Sequence, residues 1–148
     1  MKKGLVVLCC LVIASLICSV VNAYSETIEL PARDGKKRTV DLNAGDVVSG
    51  HVTLVGNAIN FSISNPEEAI VLNYTLINPT DFKFTASMTG TYSFHFENWF
   101  SDEVKFVSLN YNVQHYIFGV PQEYFLLFIV VVVALIAIVV FVAMSPKP

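Results

Sequence analysis

Gly90-Thr91-Tyr92-Ser93-Phe94-His95-Phe96-Glu97-Asn98 alternates without a break. Tyr92, Phe94 and Phe96 fall on one side, with Thr91, Ser93, His95 and Glu97 on the other. A period of two sends successive side chains to opposite faces of a strand, so the run predicts a β-strand with one buried aromatic face. Gly90 is placed to supply positive φ in the tight turn before it. Asn98 is placed to cap the turn after it, through a bond from its side chain to backbone two residues on.

The same alternation recurs in both directions. Upstream, apolar sets share a face at Phe82, Phe84 and Ala86, at Ile70, Leu72 and Tyr74, and at Ile59, Phe61 and Ile63. Earlier sets are Val48, Gly50, Val52 and Leu54, then Val40 and Leu42, then Ile28 and Leu30. Downstream, Val107, Leu109, Tyr111 and Val113 oppose Ser108, Asn110 and Asn112. Turn signals separate the runs: Asp34-Gly35, Asn43-Ala44-Gly45-Asp46, Gly56-Asn57, Asn65-Pro66 and Asn78-Pro79. No 3.6-residue period intervenes. About eight short strands, each with one apolar face, predict an all-β chain folded as an antiparallel β-sandwich.

The two ends are of another kind. Lys2 and Lys3 precede an apolar stretch from Leu5 to Val21 that exits through Val21-Asn22-Ala23. A positive start, an apolar middle and a small-residue exit predict a signal peptide over 1–23, cleaved after Ala23. The length of the apolar run leaves an uncleaved N-terminal anchor as the alternative. From Tyr124 to Met144 there is no charge. At ~1.5 Å per residue this segment rises ~31 Å, against ~30 Å for the core of a bilayer. It lacks the polar stripe of a buried core helix, and Tyr124 and Phe125 stand where an aromatic belt forms. Glu123 on one flank and Lys147 on the other place the ectodomain outside and the C-terminus in the cytoplasm. A glycolipid-anchor signal is the competing reading, disfavoured by that terminal lysine. The expected plan is a signal peptide over 1–23, a sandwich ectodomain over 24–120, a juxtamembrane linker over 121–123, a transmembrane helix over 124–144 and a cytoplasmic tail over 145–148.

Composition excludes several functions. Cys9, Cys10 and Cys18 all lie in the signal segment, so the mature ectodomain has no disulfide and must rest on its core. With Lys2 and Lys3 removed, 7 basic residues remain against 12 acidic ones, a net charge of −5 that argues against nucleic acid as a partner. His51, His95 and His115 stand apart in the chain and outward by strand parity, with no spacing suited to a metal. Glu67-Glu68 beside Pro66 reads as a solvated turn. Asp102 and Glu103 are too few for an oxygen cage, and Ser101 lacks a glycine-flanked elbow. The expectation is no catalytic residue, no cofactor and no metal.

Two sequons, Asn60-Phe61-Ser62 and Asn73-Tyr74-Thr75, fall on polar faces and make Asn60 and Asn73 candidate glycosylation sites. The loop Asn98-Trp99-Phe100-Ser101-Asp102-Glu103 holds the only tryptophan. Bulky aromatics where a hairpin would use small residues mark Trp99, Phe100, Asp102 and Glu103 as a candidate interaction loop. The alternative is that the rings tuck back over the end of the sandwich.

The stretch from Gly90 to Asn98, followed by Ser101, Lys105 and Val107, resembles the closing hairpin of the GOLD (Golgi dynamics) domain. Its motif residues here are Gly90, Tyr92, Phe94, Phe96, Asn98, Ser101 and Lys105. Leu42-Asn43-Ala44-Gly45-Asp46-Val47-Val48-Ser49-Gly50 is similar to the family's opening strand. Ile59 to Ile63 and Phe82 to Ala86 are similar to two further strands. The resemblance implies a GOLD or jelly-roll-like sandwich and a non-enzymatic role like that of transmembrane cargo receptors of the early secretory pathway. The chain departs from those receptors in lacking their disulfide, a coiled coil before the helix, and a diphenylalanine or dilysine tail signal. Independently of the resemblance, Lys105 reads as a charge at a strand edge that discourages edge pairing. The functional expectation is a single-pass membrane protein whose ectodomain binds a protein or glycan partner, in trafficking or envelope organisation. The competing class is a structural envelope subunit that packs laterally. The oligomeric state is left open.

Overall fold

The computed structural model describes residues 23–143, so the expected signal peptide lies outside the described residues. They divide into two units between Tyr116 and Ile117. The first holds eight strands: β1 (Ala23–Leu30), β2 (Gly35–Leu42), β3 (Val47–Val55), β4 (Ile59–Ser64), β5 (Ile70–Ile77), β6 (Thr80–Thr85), β7 (Gly90–Glu97) and β8 (Lys105–Gln114). One sheet runs β1-β8-β3-β6 and the other β2-β7-β4-β5, with antiparallel pairing throughout. The pairs are nested. The chain doubles on itself around the β4–β5 hairpin, so that β3 meets β6, β2 meets β7 and β1 meets β8, and the doubled ribbon is rolled into two layers. This is a jelly roll.

Alternation decides what lies between the layers. Tyr92, Phe94 and Phe96 of β7 are buried, as are Phe61 of β4 and Phe82 and Phe84 of β6. Their rings interdigitate at the 4.5–7 Å centroid spacing aromatic pairs favour. Phe61 lies 5.1 Å from Phe96 and 5.3 Å from Phe82, and Phe94 lies 5.8 Å from Phe82 and 5.3 Å from Tyr111. Leucine, isoleucine and valine from every other strand complete one continuous core. The sandwich side where β1 and β2 run is closed by a polar clamp. Glu26 of β1 accepts hydrogen bonds from Arg38 of β2 at 2.8–2.9 Å, and the Tyr24 hydroxyl donates to the same carboxylate at 2.9 Å. Arg38 holds the Glu26 carboxyl below its ordinary range.

Strand β5 departs from strict parity. Ile70, expected inward with Leu72 and Tyr74, is 65% exposed. The β4–β5 register slips twice, between Ile63 and Ser64 and between Ile59 and Phe61. Each slip adds a residue on β5, and a bulge shifts every side chain beyond it to the other face. Ile70 is thrown out by the first, and by the second Leu76 sits exposed at φ 49° while Ile77 turns in.

Beyond β8 a two-stranded ribbon, β9 (Tyr116–Ile117) and β10 (Val120–Pro121), turns through Phe118 and Gly119, both at positive φ. That is the signature of a two-residue hairpin turn. Helix α1 (Gln122–Ala143) follows at once. Pro121 cannot continue a helix backwards, and Glu123 in the first turn complements the helix dipole. Helix α1 therefore starts two residues before the expected Tyr124, taking in part of the predicted linker. Its apolar stretch Gln122–Val140 has a mean hydropathy of 3.0 and is long and apolar enough to cross a membrane.

Candidate interaction surface

The loop after β7 is built around one buried amide. Asn98 is fully buried, and its Nδ2 donates to Pro31 O at 3.0 Å and to Glu103 O at 2.8 Å. Its backbone N–H donates to Asp34 O at 2.9 Å. Asn98 thus does more than cap a local turn: it staples the β7–β8 loop to the turn between β1 and β2. A second set of bonds repeats the link. The Arg33 N–H donates to Ser101 O at 3.0 Å, and the Ser101 Oγ accepts from the Glu103 N–H at 3.2 Å. The Arg33 guanidinium donates to both oxygens of Asp102, from Nε at 2.7 Å and Nη2 at 3.0 Å, and holds that carboxyl below its usual range. Arg33 sits at φ 56°, a costly conformation for a side chain other than glycine. The pair itself is exposed and adds little stability; its consequence is a fixed loop.

Two rings stand on this platform. Trp99 is 55% exposed and Phe100 46% exposed. The Trp99 ring packs over Gly35, where an added Cβ would come within 3.3 Å of it. Phe100 lies over the Lys105 ammonium, 4.9 Å from ring centroid to Nζ. Each ring has one face on the protein and one open to solvent, so the alternatives of free tip and tucked cap are both half realised. Val55, Val104 and Phe106 are also exposed, and Val55 and Phe106 are cross-strand neighbours on β3 and β8. Phe106 is an apolar residue on an otherwise polar face of β8. That break in the alternation was its only trace in the sequence. Arg33 left none, because its partner is 69 residues away.

The edge-charge reading of Lys105 does not hold. β8 lies between β1 and β3 with its backbone paired on both sides, and Lys105 is buried, with its Nζ donating to Ala58 O at 2.6 Å. The lysines on edge strands are Lys36 and Lys37 of β2 and Lys83 of β6. Burial pushes the Lys105 ammonium below its ordinary 10.5, with Glu103 opposing the shift. The folded chain therefore binds this proton less tightly than the unfolded one, and the contribution of Lys105 to stability rises as the pH approaches 10.5. Urea unfolding of wild type and Lys105→Met across pH 7 to 10 checks this. The stability difference is expected to move in favour of the wild type as pH rises, and a pH-independent difference would contradict it.

The other motif positions are structural in their contacts. Gly90, at φ 147°, abuts Pro66, whose Cγ would be 2.7 Å from an added Cβ. His51 and His115 each pair with one carboxylate, Asp81 at 2.6 Å and Asp46 at 2.9 Å. Asp46 is itself buried and accepts from the Asn43 N–H, locking the turn between β2 and β3. No group of three metal-binding side chains occurs among the described residues. Asn73 is exposed on edge strand β5. Asn60 is half-buried, and its Oδ1 accepts from the Leu76 N–H at 3.1 Å.

No curated protein sequence matches the chain. Among solved structures it is similar to the periplasmic lysozyme inhibitor PliG of Aeromonas hydrophila, at 17% identity and a TM-score of 0.47, covering 64% of this chain and 89% of that one. It is also similar to PliG of Salmonella Typhimurium, at 13% identity and a TM-score of 0.46, covering 65% and 91%. The Yersinia pseudotuberculosis-derived mitogen is similar at 10% identity and a TM-score of 0.45, covering 66% and 91%. All three scores lie below 0.5, and nothing about this chain rests on them. Residues 27–120 match the emp24/gp25L/p24 family/GOLD, and the chain belongs to that family.

Proposed function

We propose that the chain is a membrane-anchored interaction module whose sandwich captures a protein or glycan partner through the loop bearing Trp99 and Phe100. The family is one of cargo-receptor and trafficking-type domains, and its members are membrane proteins of the secretory pathway. Helix α1 supplies a candidate single span. In the proposed plan, a signal peptide over 1–23 is removed, residues 24–120 form the ectodomain on the lumenal or extracellular side, and the C-terminus is cytoplasmic. Asn73 is the better exposed of the two sequons, and Asn60 the more encumbered.

One observation carries the reading: two half-exposed aromatic rings sit on a loop immobilised by a buried asparagine and a bidentate ion pair. Ordering a loop on binding normally costs free energy, and a loop already held in place avoids that cost. Aromatic anchors of this kind supply most of the energy of many interfaces. The full-length chain, cross-linked in native membranes and then purified, should bring down a heterologous partner. The double variant Trp99→Ala, Phe100→Ala should keep its fold and weaken capture by about 2 kcal/mol or more, roughly thirtyfold. Recovery of self-contacts alone would favour the structural envelope subunit instead.

A further inference from the structure

The outer face of the β1-β8-β3-β6 sheet carries a shallow trough of about 680 Å³. Its position follows from the register. Tyr24, Tyr111, Gly50 and Phe82 lie in one row across the four strands. Phe82 of this row is buried in the core and Gly50 has no side chain, so the row leaves mainly backbone as a floor. The rows on either side point outward and form two walls. One wall is Ser25, Asn110, His51 and Asp81. The other is made chiefly by Asn112, Ser49 and Lys83. The trough therefore runs across the strands, ~14 Å over three inter-strand steps, and ~7 Å wide between residues two apart.

We infer that this trough binds a neutral glycan chain, at a site separate from the aromatic loop and independent of the role proposed for it. The backbone of the two middle strands, β8 and β3, is consumed by pairing on both sides, so an extended peptide gains no strand hydrogen bonds from the floor. Recognition falls to the walls, where Ser25, Ser49, Asn110 and Asn112 present hydroxyls and amides. Such groups donate and accept at once, as sugar hydroxyls do. Ala23 and parts of Tyr24 and Tyr111 add apolar surface against which the face of a sugar ring can pack. His51 adds an oriented acceptor. Its Nδ1 is 2.6 Å from Asp81; with that nitrogen protonated and donating to the carboxylate, Nε2 is left as a lone-pair acceptor. The charged groups, Asp81 and Lys83, oppose each other in sign, so the trough carries no net charge to favour an anionic ligand. A linear chain of sugar rings fits a long, narrow slot without net charge. The trough lies on β8 four to six residues from Phe106, ~13–20 Å away along the strand.

The test uses the full-length chain in a phosphocholine detergent, because sugar-headed detergents would compete. It is applied to immobilised mannotetraose, cellotetraose and chitotetraose, to sulfated counterparts and to an unglycosylated peptide control. Wild type is expected to retain at least one neutral tetrasaccharide over both controls. Asn110→Ala should weaken that retention at least tenfold, and Ser49→Trp, an exposed change that fills the slot, should abolish it. Both variants should melt within a few degrees of wild type; if one does not, the other decides. Lys37→Gln, an exposed change on β2 of the other sheet, should bind the sugar normally. Retention of no neutral glycan, equal retention of peptide, preference for the sulfated chains, or binding that survives Ser49→Trp each overturns the inference.

Discussion

Phe94→Ala is expected to lower the stability of the sandwich by about 3–5 kcal/mol, the usual loss for a large aromatic in a packed core. Phe94 is 1% exposed, and its ring centroid lies within 6.5 Å of four others, those of Phe61, Phe82, Phe84 and Tyr111. Three of these belong to the facing sheet, so the truncation opens a cavity at the joint between layers. The surrounding strands are tied into two hydrogen-bonded sheets and cannot collapse into it. With domain stabilities of ~5–15 kcal/mol, such a loss removes a large part of the total. The chain's single tryptophan, Trp99, offers a fluorescence probe for urea unfolding. Phe106→Ala is the matched control: the same residue type, but on the outer face, and expected within about 0.5 kcal/mol of wild type. If Phe94→Ala cost under about 1 kcal/mol, the inward face of β7 would be wrongly assigned. The ectodomain has no cysteine after Ala23, so none of these curves should respond to a reductant.

The inward face of β7 is legible in sequence because a period of two is local: eight consecutive residues suffice to show it. The same holds for β3, β4, β6 and β8. What fails is whatever a distant strand decides. Ile70 and Leu76 fit the alternation of their own run in sequence, but β5 carries two bulge residues that only its pairing with β4 reveals. The sheet order is likewise non-local, since β1 pairs with β8 across most of the domain. Polar residues in buried places mislead most. Lys105 and Asn98 read as surface residues by type, and they are buried because main-chain carbonyls at Ala58, Pro31 and Glu103 come to meet them. The interaction surface divides the same way. Trp99 and Phe100 stood out as misplaced bulk in a loop, whereas the ion pair that fixes the loop was invisible. The trough shows the limit most clearly. Its serines and asparagines were visible as the polar side of each strand, but only the register shows which of them stand opposite one another.

Asn98→Asp changes almost nothing in shape and is expected to be worse than Asn98→Ala. The native amide gives both its N–H groups to carbonyls, at 3.0 and 2.8 Å, with no exposure to water. Removing the side chain leaves those two carbonyls without this partner, at about 1–3 kcal/mol each. An ionised carboxylate does the same, and it also points negative charge at two carbonyl oxygens in a site that cannot solvate it, which costs several kcal/mol more. The aspartate variant should therefore lose roughly 4 kcal/mol or more at neutral pH. Its acid form regains one O–H donor, so both burial and the carbonyls favour the protonated state and raise the folded pKa above the unfolded value of about 3.9. The folded variant then holds its proton more tightly than the unfolded chain. Its deficit is complete above the raised pKa, shrinks as pH falls through that value, and is smallest below about 3.9. Measuring both variants from pH 7 to pH 3 isolates this effect, because the alanine variant carries every other titrating group of the fold. The aspartate variant should start below the alanine variant and draw level with it or pass it as the pH falls. A gap that stays constant across that range would mean the side chain at 98 reaches water, and that the staple between the two loops is not what holds Trp99 and Phe100 in place.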